Sequence, residues 1–304
     1  MQRRIGFIGL GAMGKPMATN LIKKGLPLTV FDIRQEPVDE LVKLGAKGAK
    51  SSTETATSSD VIITMLPSSP NVEAVILGKD GVIQGVSKGS IVMDMSTIAP
   101  STTKKVGDEL IKRSVEMLDA PVARGVKAAV EGTLAIFVGG KKEVFEECKD
   151  ILEVMGTDIN HVGELGCGEM VKLVNNLILS VSITAIAEGM VLAVKAGVEP
   201  DVLFEVLGKG SADSFALQNH FRNFVMKGDF REGIFPVEYI LKDLGLVLQT
   251  AKELQMPLFV GSLANQLYEF AKASGKGKNY YPVVVTIFEE LTGVKVRSKK
   301  EGSQ

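Results

Sequence analysis

The segment Gly9-Leu-Gly11-Ala-Met-Gly14 follows the apolar run Ile5-Gly-Phe-Ile and precedes a helical pattern from Lys15 to Lys24. Three glycines at this spacing, between a strand and a helix, leave few folds open. Gly9 makes the tight turn, Gly11 lets a pyrophosphate approach the backbone, and Gly14 lets the helix close on the strand. Ala12 and Met13 lie between them, at a helix start whose amide groups suit phosphate. A lone G-x-G-x-x-G is weak evidence. Here the next strand, Pro27-Leu-Thr-Val-Phe-Asp32, ends in an acid 18 residues beyond Gly14. That acid is suited to accept a hydrogen bond from an adenosine-ribose 2′-hydroxyl, and its charge opposes a 2′-phosphate, so NAD(H) is expected over NADP(H). Arg34 is the side chain that could turn to bind such a phosphate.

Strand and helix patterns alternate through the first half of the chain. After Asp32 come a helix near Pro37 to Leu44 and a short strand candidate near Ala46 to Ala49. Further strands are expected at Asp60 to Leu66, Ser90 to Asp94, Glu116 to Asp119 and Leu134 to Val138. This alternation predicts an α/β fold with a doubly wound, mostly parallel sheet. Ligands bind outside the carboxyl ends of such strands. Leu66 and Pro67 are therefore expected to border the dinucleotide, and Ser96 and Thr97 the substrate, with Thr97 also reaching the nicotinamide end of the cofactor. From about Gly166 onward only helical periodicity remains. The expected domains are 1–164 for the dinucleotide, 165–294 for an all-α substrate and oligomerisation domain, and 295–304 for a flexible polar tail.

A chain of 304 residues supports two cores. Its 45% hydrophobic and 23% charged content are those of a globular protein, and a net charge of −1 supplies no field to recruit nucleic acid or anionic membrane. Cys148 and Cys167, with His161 and His220, offer neither a disulfide framework nor metal-ligand spacing. The short apolar N-terminus breaks into glycines too soon for a signal peptide. Residues Leu177 to Val194 are strongly apolar, but Glu188 and Gly189 interrupt them, which predicts a helix buried between packed neighbours rather than a membrane span. A cytoplasmic location is expected.

Lys172 and Asn176, in Gly166-Cys-Gly-Glu-Met-Val-Lys172-Leu-Val-Asn175-Asn176, project from one helix face one turn apart. Alone, such a pair is an ordinary solvated surface. Four ordered motifs change its weight: Gly9 to Leu21; Asp119-Ala-Pro-Val-Ala-Arg124-Gly125 with Gly132-Thr-Leu134; Gly166 to Asn176; and Lys242-Asp243-Leu244 with Leu246. Together they resemble the β-hydroxyacid dehydrogenase family. The resemblance implies a Rossmann-type domain followed by a helical domain, assembled as a homodimer or homotetramer. It implies that Lys172 is the catalytic acid/base, that Asn176 positions substrate, and that Lys242 approaches the cofactor. Reduction of an aldehyde by hydride builds negative charge on oxygen, which a positioned ammonium relieves by giving up a proton. Burial would favour the neutral amine needed for the reverse step.

The second motif departs from the family pattern Asp-Ala-Pro-Val-Ser-Gly-Gly, since Ala123 replaces the serine and Arg124 a glycine. A guanidinium fork suits a strong anion. Arginine here resembles the sulfolactaldehyde reductase branch of the family, which implies that Arg124, Gly125, Asn175 and Asn176 receive a sulfonate. Other placements for Arg124 are solvent or an ion pair with Glu131. Alternative substrates are 3-hydroxyisobutyrate or a branched dicarboxylate analogue, succinic semialdehyde with 4-hydroxybutyrate, and tartronate semialdehyde. A non-catalytic NADH-binding scaffold is the alternative outside enzymes.

Overall fold

The computed structural model describes residues 3–299. Its chain divides into two compact units, 1–173 and 174–304. In the first, strands β1 (Ile5–Ile8), β2 (Leu28–Phe31), β3 (Lys47–Gly48), β4 (Val61–Thr64), β5 (Ile91–Asp94) and β6 (Glu116–Asp119) pair in parallel in the order β3-β2-β1-β4-β5-β6. This is the order of a dinucleotide-binding doubly wound sheet, whose switch point falls between β1 and β4. Beyond β6 the sheet continues through β8 (Leu134–Gly139), antiparallel to β6 and to β7 (Val122–Ala123) and parallel to β9 (Gly156–Gly163). The strand at Gly156–Gly163 carries Thr157, Asp158, Asn160 and His161. Its polar composition hides it from a search for apolar runs.

Strands buried on both faces explain the continuous apolar runs. Ile5, Phe7, Val61, Ile63, Ile91, Met93 and Leu118 pack on one side with α1 (Gly14–Lys23) and α7 (Lys142–Met155). Ile8, Ile62, Val92 and Met117 alternate to the other side, with Val72 and Ile76 of α4 (Ser69–Leu77) and Val106 and Leu110 of α5 (Pro100–Ile111). Helices α2 (Gln35–Lys43), α3 (Ser52–Thr57) and α6 (Gly125–Glu131) complete the unit.

Helix α8 (Cys167–Lys195) runs without a break across the division between the units. The second unit adds α9 (Pro200–Leu207), a wide helical segment over Ala216–Val225, α10 (Val237–Glu253), α11 (Phe259–Ala271) and α12 (Val285–Thr292). Its core gathers Ile183, Met190, Phe221, Ile240, Leu244, Tyr268 and Tyr281. His220 lies in this core with its two ring nitrogens against the Tyr280 and Tyr281 hydroxyls, at 2.5 and 3.1 Å. Burial pushes its pKa down to about 4, so the ring stays neutral.

Two expectations change. By length and composition α8 is apolar enough to cross a membrane, yet only a third of its most apolar stretch is buried. One side of it faces the core and the other is open, so it is not enclosed between neighbours. The flexible tail expected over 295–304 is also corrected where it is described. Val296 is fully buried, its amide donates to Glu289 at 2.8 Å, and Arg297 pairs with the same carboxylate at 2.6 Å. The Ser298 amide donates to the Met226 carbonyl, and its hydroxyl and the Lys299 amide both reach Asp201. Residues 300–304 lie outside the described residues. A single valine with an ion-paired arginine docks a segment whose composition reads as solvated.

Val296→Ala should therefore destabilise the protein by about 1.5–3 kcal/mol, read as a lowered midpoint in urea unfolding. An unchanged midpoint would return the segment to a frayed tail.

Candidate functional site

The three glycines behave differently in space. Gly9 has φ +96°, and a Cβ there would collide with the Met65 carbonyl; one on Gly14 would collide with the Gly9 carbonyl. Gly11 faces open space, and a methyl group on it would meet nothing within 4 Å. The first and third are thus needed for the turn and for helix–strand closure, while the second leaves a clear approach to the backbone. Asp32 follows β2 directly and accepts from the Leu10 amide at 2.7 Å. These residues fit an NAD dinucleotide on an observed cradle.

Arg34 does not swing outward. Its amide and Nε both donate to Asp32 Oδ1, at 2.8 and 3.1 Å, and a terminal nitrogen donates to the Leu10 carbonyl at 3.1 Å. Burial raises the pKa of Asp32, but the hydrogen bonds from Arg34 and Leu10 and the guanidinium charge outweigh it and hold the carboxyl below its ordinary value. The acid is therefore charged at neutral pH, the state that opposes a 2′-phosphate.

At the carboxyl ends of β4 and β5 a buried carboxylate organises the backbone. Asp94 Oδ1 accepts from Thr64 Oγ1 at 2.7 Å and Ser96 Oγ at 2.6 Å, with the Ser96 amide at 3.3 Å. Ser96 Oγ in turn accepts from the Leu66 amide at 2.8 Å. Ser96 is thus a structural link between two strand ends, and it is fully buried. Thr97 is half-buried beside it. The helix after it, α5, is capped by Ala99, so Thr97 is not the cap of that helix. Burial, opposed by the Ser96 and Thr64 hydrogen bonds and helped by the charge of Asp119, drives the Asp94 pKa up to about 6.

Asp119, at the end of β6, ties the sheet to α8. Its two oxygens accept from the amides of Gly166 and Glu169, at 2.8 and 2.7 Å, so a carboxylate sits on the amino-terminal turn of the helix. Gly139 and Gly168 have no room for a Cβ against this carboxylate and the nearby backbone. Burial raises the Asp119 pKa, with the amide bonds opposing. One residue of the same turn, Glu169, reaches back to the Ile98 amide at 3.2 Å and holds the Ser96–Ala99 loop. The Ala99 amide donates to Ser69 Oγ at 3.1 Å.

Lys172 follows on this helix and is only 9% exposed. Asn176 is buried one turn later. Its Nδ2 donates to Asp243 Oδ2 at 2.5 Å, and its Oδ1 accepts from Asn175 Nδ2 at 3.0 Å. The other Asp243 oxygen is 3.0 Å from Lys242 Nζ. Asp243 is thus the common partner of two residues expected in the site. Sequence reasoning assigned no role to Asp94, Asp119, Glu169 or Asp243. The first two carried a signal, since each ends a strand on the ligand side of the sheet. The other two are legible only once α8 is seen to be packed.

Arg124 is exposed, and its ion-pair partner is Asp158 rather than Glu131. It caps α6 with φ +84°, a left-handed backbone that favours glycine, and Gly125 follows at φ +74°. Its guanidinium pairs with Asp158 at 2.9 Å and donates to the Thr133 carbonyl at 3.1 Å and to Thr157 Oγ1 at 3.5 Å. Glu131 instead lies 3.9 Å from Lys127.

The raised pKa of Asp94 has a definite linkage sign. Its proton is held more tightly in the folded state, so its stabilising contribution is complete below about 3.8 and is lost as pH rises through about 6. Relative to Asp94→Asn, the wild type should lose about 3 kcal/mol of unfolding free energy between acid and neutral pH, measured by denaturant titration at each pH. A difference that is flat with pH would show that folding leaves the Asp94 pKa unshifted.

A sequence profile for the NAD binding domain of 6-phosphogluconate dehydrogenase matches residues 4–163. A second, for the NAD-binding region of NADP-dependent 3-hydroxyisobutyrate dehydrogenase, matches residues 166–285. The chain is 41% identical to 2-(hydroxymethyl)glutarate dehydrogenase of Eubacterium barkeri over 96% of its length and 97% of the relative. It is 38% identical to NAD-dependent L-serine dehydrogenase of Pseudomonas aeruginosa, over 96% and 99%. Among solved structures it is similar to Mycobacterium tuberculosis 3-hydroxyisobutyrate dehydrogenase with L-serine, at a TM-score of 0.87 and 30% identity over 94% of this chain and 99% of that one. With both profiles in sequence order on a parallel sheet and a helical unit, the chain belongs to the β-hydroxyacid dehydrogenase family, as a dinucleotide-binding oxidoreductase.

Proposed function

We propose that this protein interconverts a small anionic 3-hydroxyacid and its semialdehyde, with Lys172 as the general acid/base. Buried Lys172, on a helix whose first turn is held by Asp119, is the observation that carries the reading. Bound NAD(H) supplies hydride transfer. Lys172 Nζ gives a proton to the aldehyde oxygen as charge builds there, and as the neutral amine takes the alcohol proton in the reverse direction. Asn176 orients the same oxygen-bearing group through an amide fixed by Asp243. Gly9, Gly11, Ala12, Met13 and Gly14 hold the pyrophosphate, Asp32 the adenosine ribose, and Leu66, Pro67, Thr97 and Lys242 border the rest of the cofactor.

Arg124 then selects a substrate with a second, strong anionic group, of which 3-sulfolactaldehyde is the favoured form. Two physical arguments support this. Retaining a side chain at a left-handed position costs about 1–2 kcal/mol relative to glycine, a cost that anion binding offsets. The partner Asp158 is exposed, at 52% of its side chain against 45% for Arg124, so their ion pair is worth only about 0–1 kcal/mol and yields to a better anion. A branched dicarboxylate meets the same requirement, and the similarity to a 2-(hydroxymethyl)glutarate dehydrogenase favours it as the second reading.

Initial rates with NADH or NAD+ against 3-sulfolactaldehyde, 2-(hydroxymethyl)glutarate, 3-hydroxyisobutyrate and L-serine will rank the substrates. Lys172→Ala should abolish turnover of every substrate while NADH affinity is kept; retained turnover would overturn the acid/base role. Arg124→Ala should raise KM for the doubly anionic substrates by about 10-fold or more and leave 3-hydroxyisobutyrate unchanged. An equal effect on all four would remove Arg124 from substrate selection.

Asp243→Asn keeps the shape of the side chain and removes the charge shared by Asn176 and Lys242. It should lower kcat by about 10–100-fold with an unchanged melting temperature, since misplacing an orienting group by about 1 Å has a cost of that size. Unaltered kcat would make the Asp243 network purely structural.

A further inference from the structure

Helix α6 is a seven-residue excursion between β7 and β8, and a helix this short depends on its surroundings to stay formed. It starts at Arg124, with φ +84°, and ends at Gly132, with φ +69°. The amides of Gly132 and Thr133 both turn back to the Ala128 carbonyl, the second at 2.9 Å. The next carbonyl, that of the fully buried Ala129, is passed over by the turn that closes the helix. A buried carbonyl left without a donor is costly.

Asn20 supplies that donor. It lies half-buried on α1, the helix that opens at Gly14, and its Nδ2 donates to the Ala129 carbonyl at 2.8 Å. Gly132 leaves room for the approach, since a Cβ there would stand 3.5 Å from Asn20 Nδ2 and 3.1 Å from the Val154 carbonyl. One residue further on, the Thr133 carbonyl receives the Arg124 guanidinium at 3.1 Å. The remaining acceptors of the fork, Asp158 and Thr157, are exposed on β9, where an ion pair fixes a side chain weakly. The anchored end of α6 is therefore the firmest reference for the guanidinium. Apolar packing alone would not provide it. Ala18, Leu21, Ala128 and Ala129 share one core, but such contacts are not directional, whereas an amide aimed at one carbonyl sets the register of two helices.

We propose that Asn20 is a positioning residue for Arg124, acting through the last turn of α6 and the Thr133 carbonyl. Its consequence for substrate choice rests on the reading of Arg124 as the substrate-selecting cation. One helix then serves both ligands. Gly14, on the first turn of α1, closes on the dinucleotide cradle, and Asn20, not quite two turns later, holds the arginine that receives the second anionic group.

The setting of Arg124 can be read without substrate from the rate at which phenylglyoxal modifies it, followed by peptide mass spectrometry. Asn20→Ala, and Asn20→Asp, which keeps the shape and removes the donor, should each speed this modification by about 3–10-fold, the effect of one lost hydrogen bond. Arg231, paired with Asp229 in the other unit, should react at an unchanged rate and is the internal control. In steady-state rates, Asn20→Ala should raise KM for the doubly anionic substrates by about 3–10-fold, with kcat and the NADH dissociation constant within about twofold. In an Arg124→Ala background the same substitution should add nothing to KM, because the two residues act as one unit. Unchanged labelling of Arg124 in both variants, even with a lowered melting temperature, would overturn the proposal and leave Asn20 a packing residue. So would a KM effect that persists undiminished in Arg124→Ala, or one of equal size for 3-hydroxyisobutyrate. Faster labelling, together with an Arg124→Ala variant whose KM is normal for every substrate, would uphold Asn20 as the positioning residue and overturn the substrate-selecting reading of Arg124.

Discussion

A buried carboxylate on the first turn of α8 fixes how this helix starts against the sheet. Asp119 ends a central strand and accepts from the amides of Gly166 and Glu169, so the helix starts at one fixed height and rotation above the sheet. Lys172, three residues beyond Glu169, inherits that setting at 1.5 Å and 100° per residue. It is thereby buried on a defined side, and Asn176 follows one turn on along the same helix. Glu169, on the first turn, returns to the Ile98 amide, so the loop with Ser96 and Thr97 is referenced to the helix as well. The absence of side chains at Gly139 and Gly168 belongs to the same design, because a methyl group at either would displace the carboxylate.

A second acid does for the strand ends what Asp119 does for the helix. Asp94 gathers the Thr64 and Ser96 hydroxyls on one oxygen, and Ser96 passes the constraint to the Leu66 amide. Two neighbouring buried carboxylates are costly, which is why burial and mutual repulsion drive Asp94 up to about 6. Asp243 completes the set in the helical unit by fixing the Asn176 amide and the Lys242 ammonium together. Arg124 is the complementary case. Its pair with Asp158 lies at the surface, where an ion pair contributes little to stability.

Much of the first unit was legible in the sequence because its rules are local. Gly9, Gly11, Gly14 and Asp32 have fixed offsets from a strand and a helix, and the apolar runs of β4 and β5 announce strands buried on both faces. The family motifs also located Lys172, Asn176 and Lys242 in order. The strand at Gly156–Gly163 escaped because it is polar, and it is this strand that carries the partner of Arg124. The docking of Val296 escaped for a similar reason, since one buried valine and one ion-paired arginine lie within a run of charges.

The sequence by itself determined a dinucleotide-binding parallel sheet followed by helices, and the residue types on which hydroxyacid chemistry depends. Those properties follow from periodicity, glycine geometry and motif order, all of which are short-range in the chain. Only the tertiary structure decided which acids hold the strand ends and the start of α8, where the Arg124 fork points, and which side of α8 is left bare. Those outcomes join residues 30 to 70 positions apart, as in Thr64 with Asp94, Arg124 with Asp158, and Asn176 with Asp243. Their partners are chosen by packing, which no local pattern along the chain encodes.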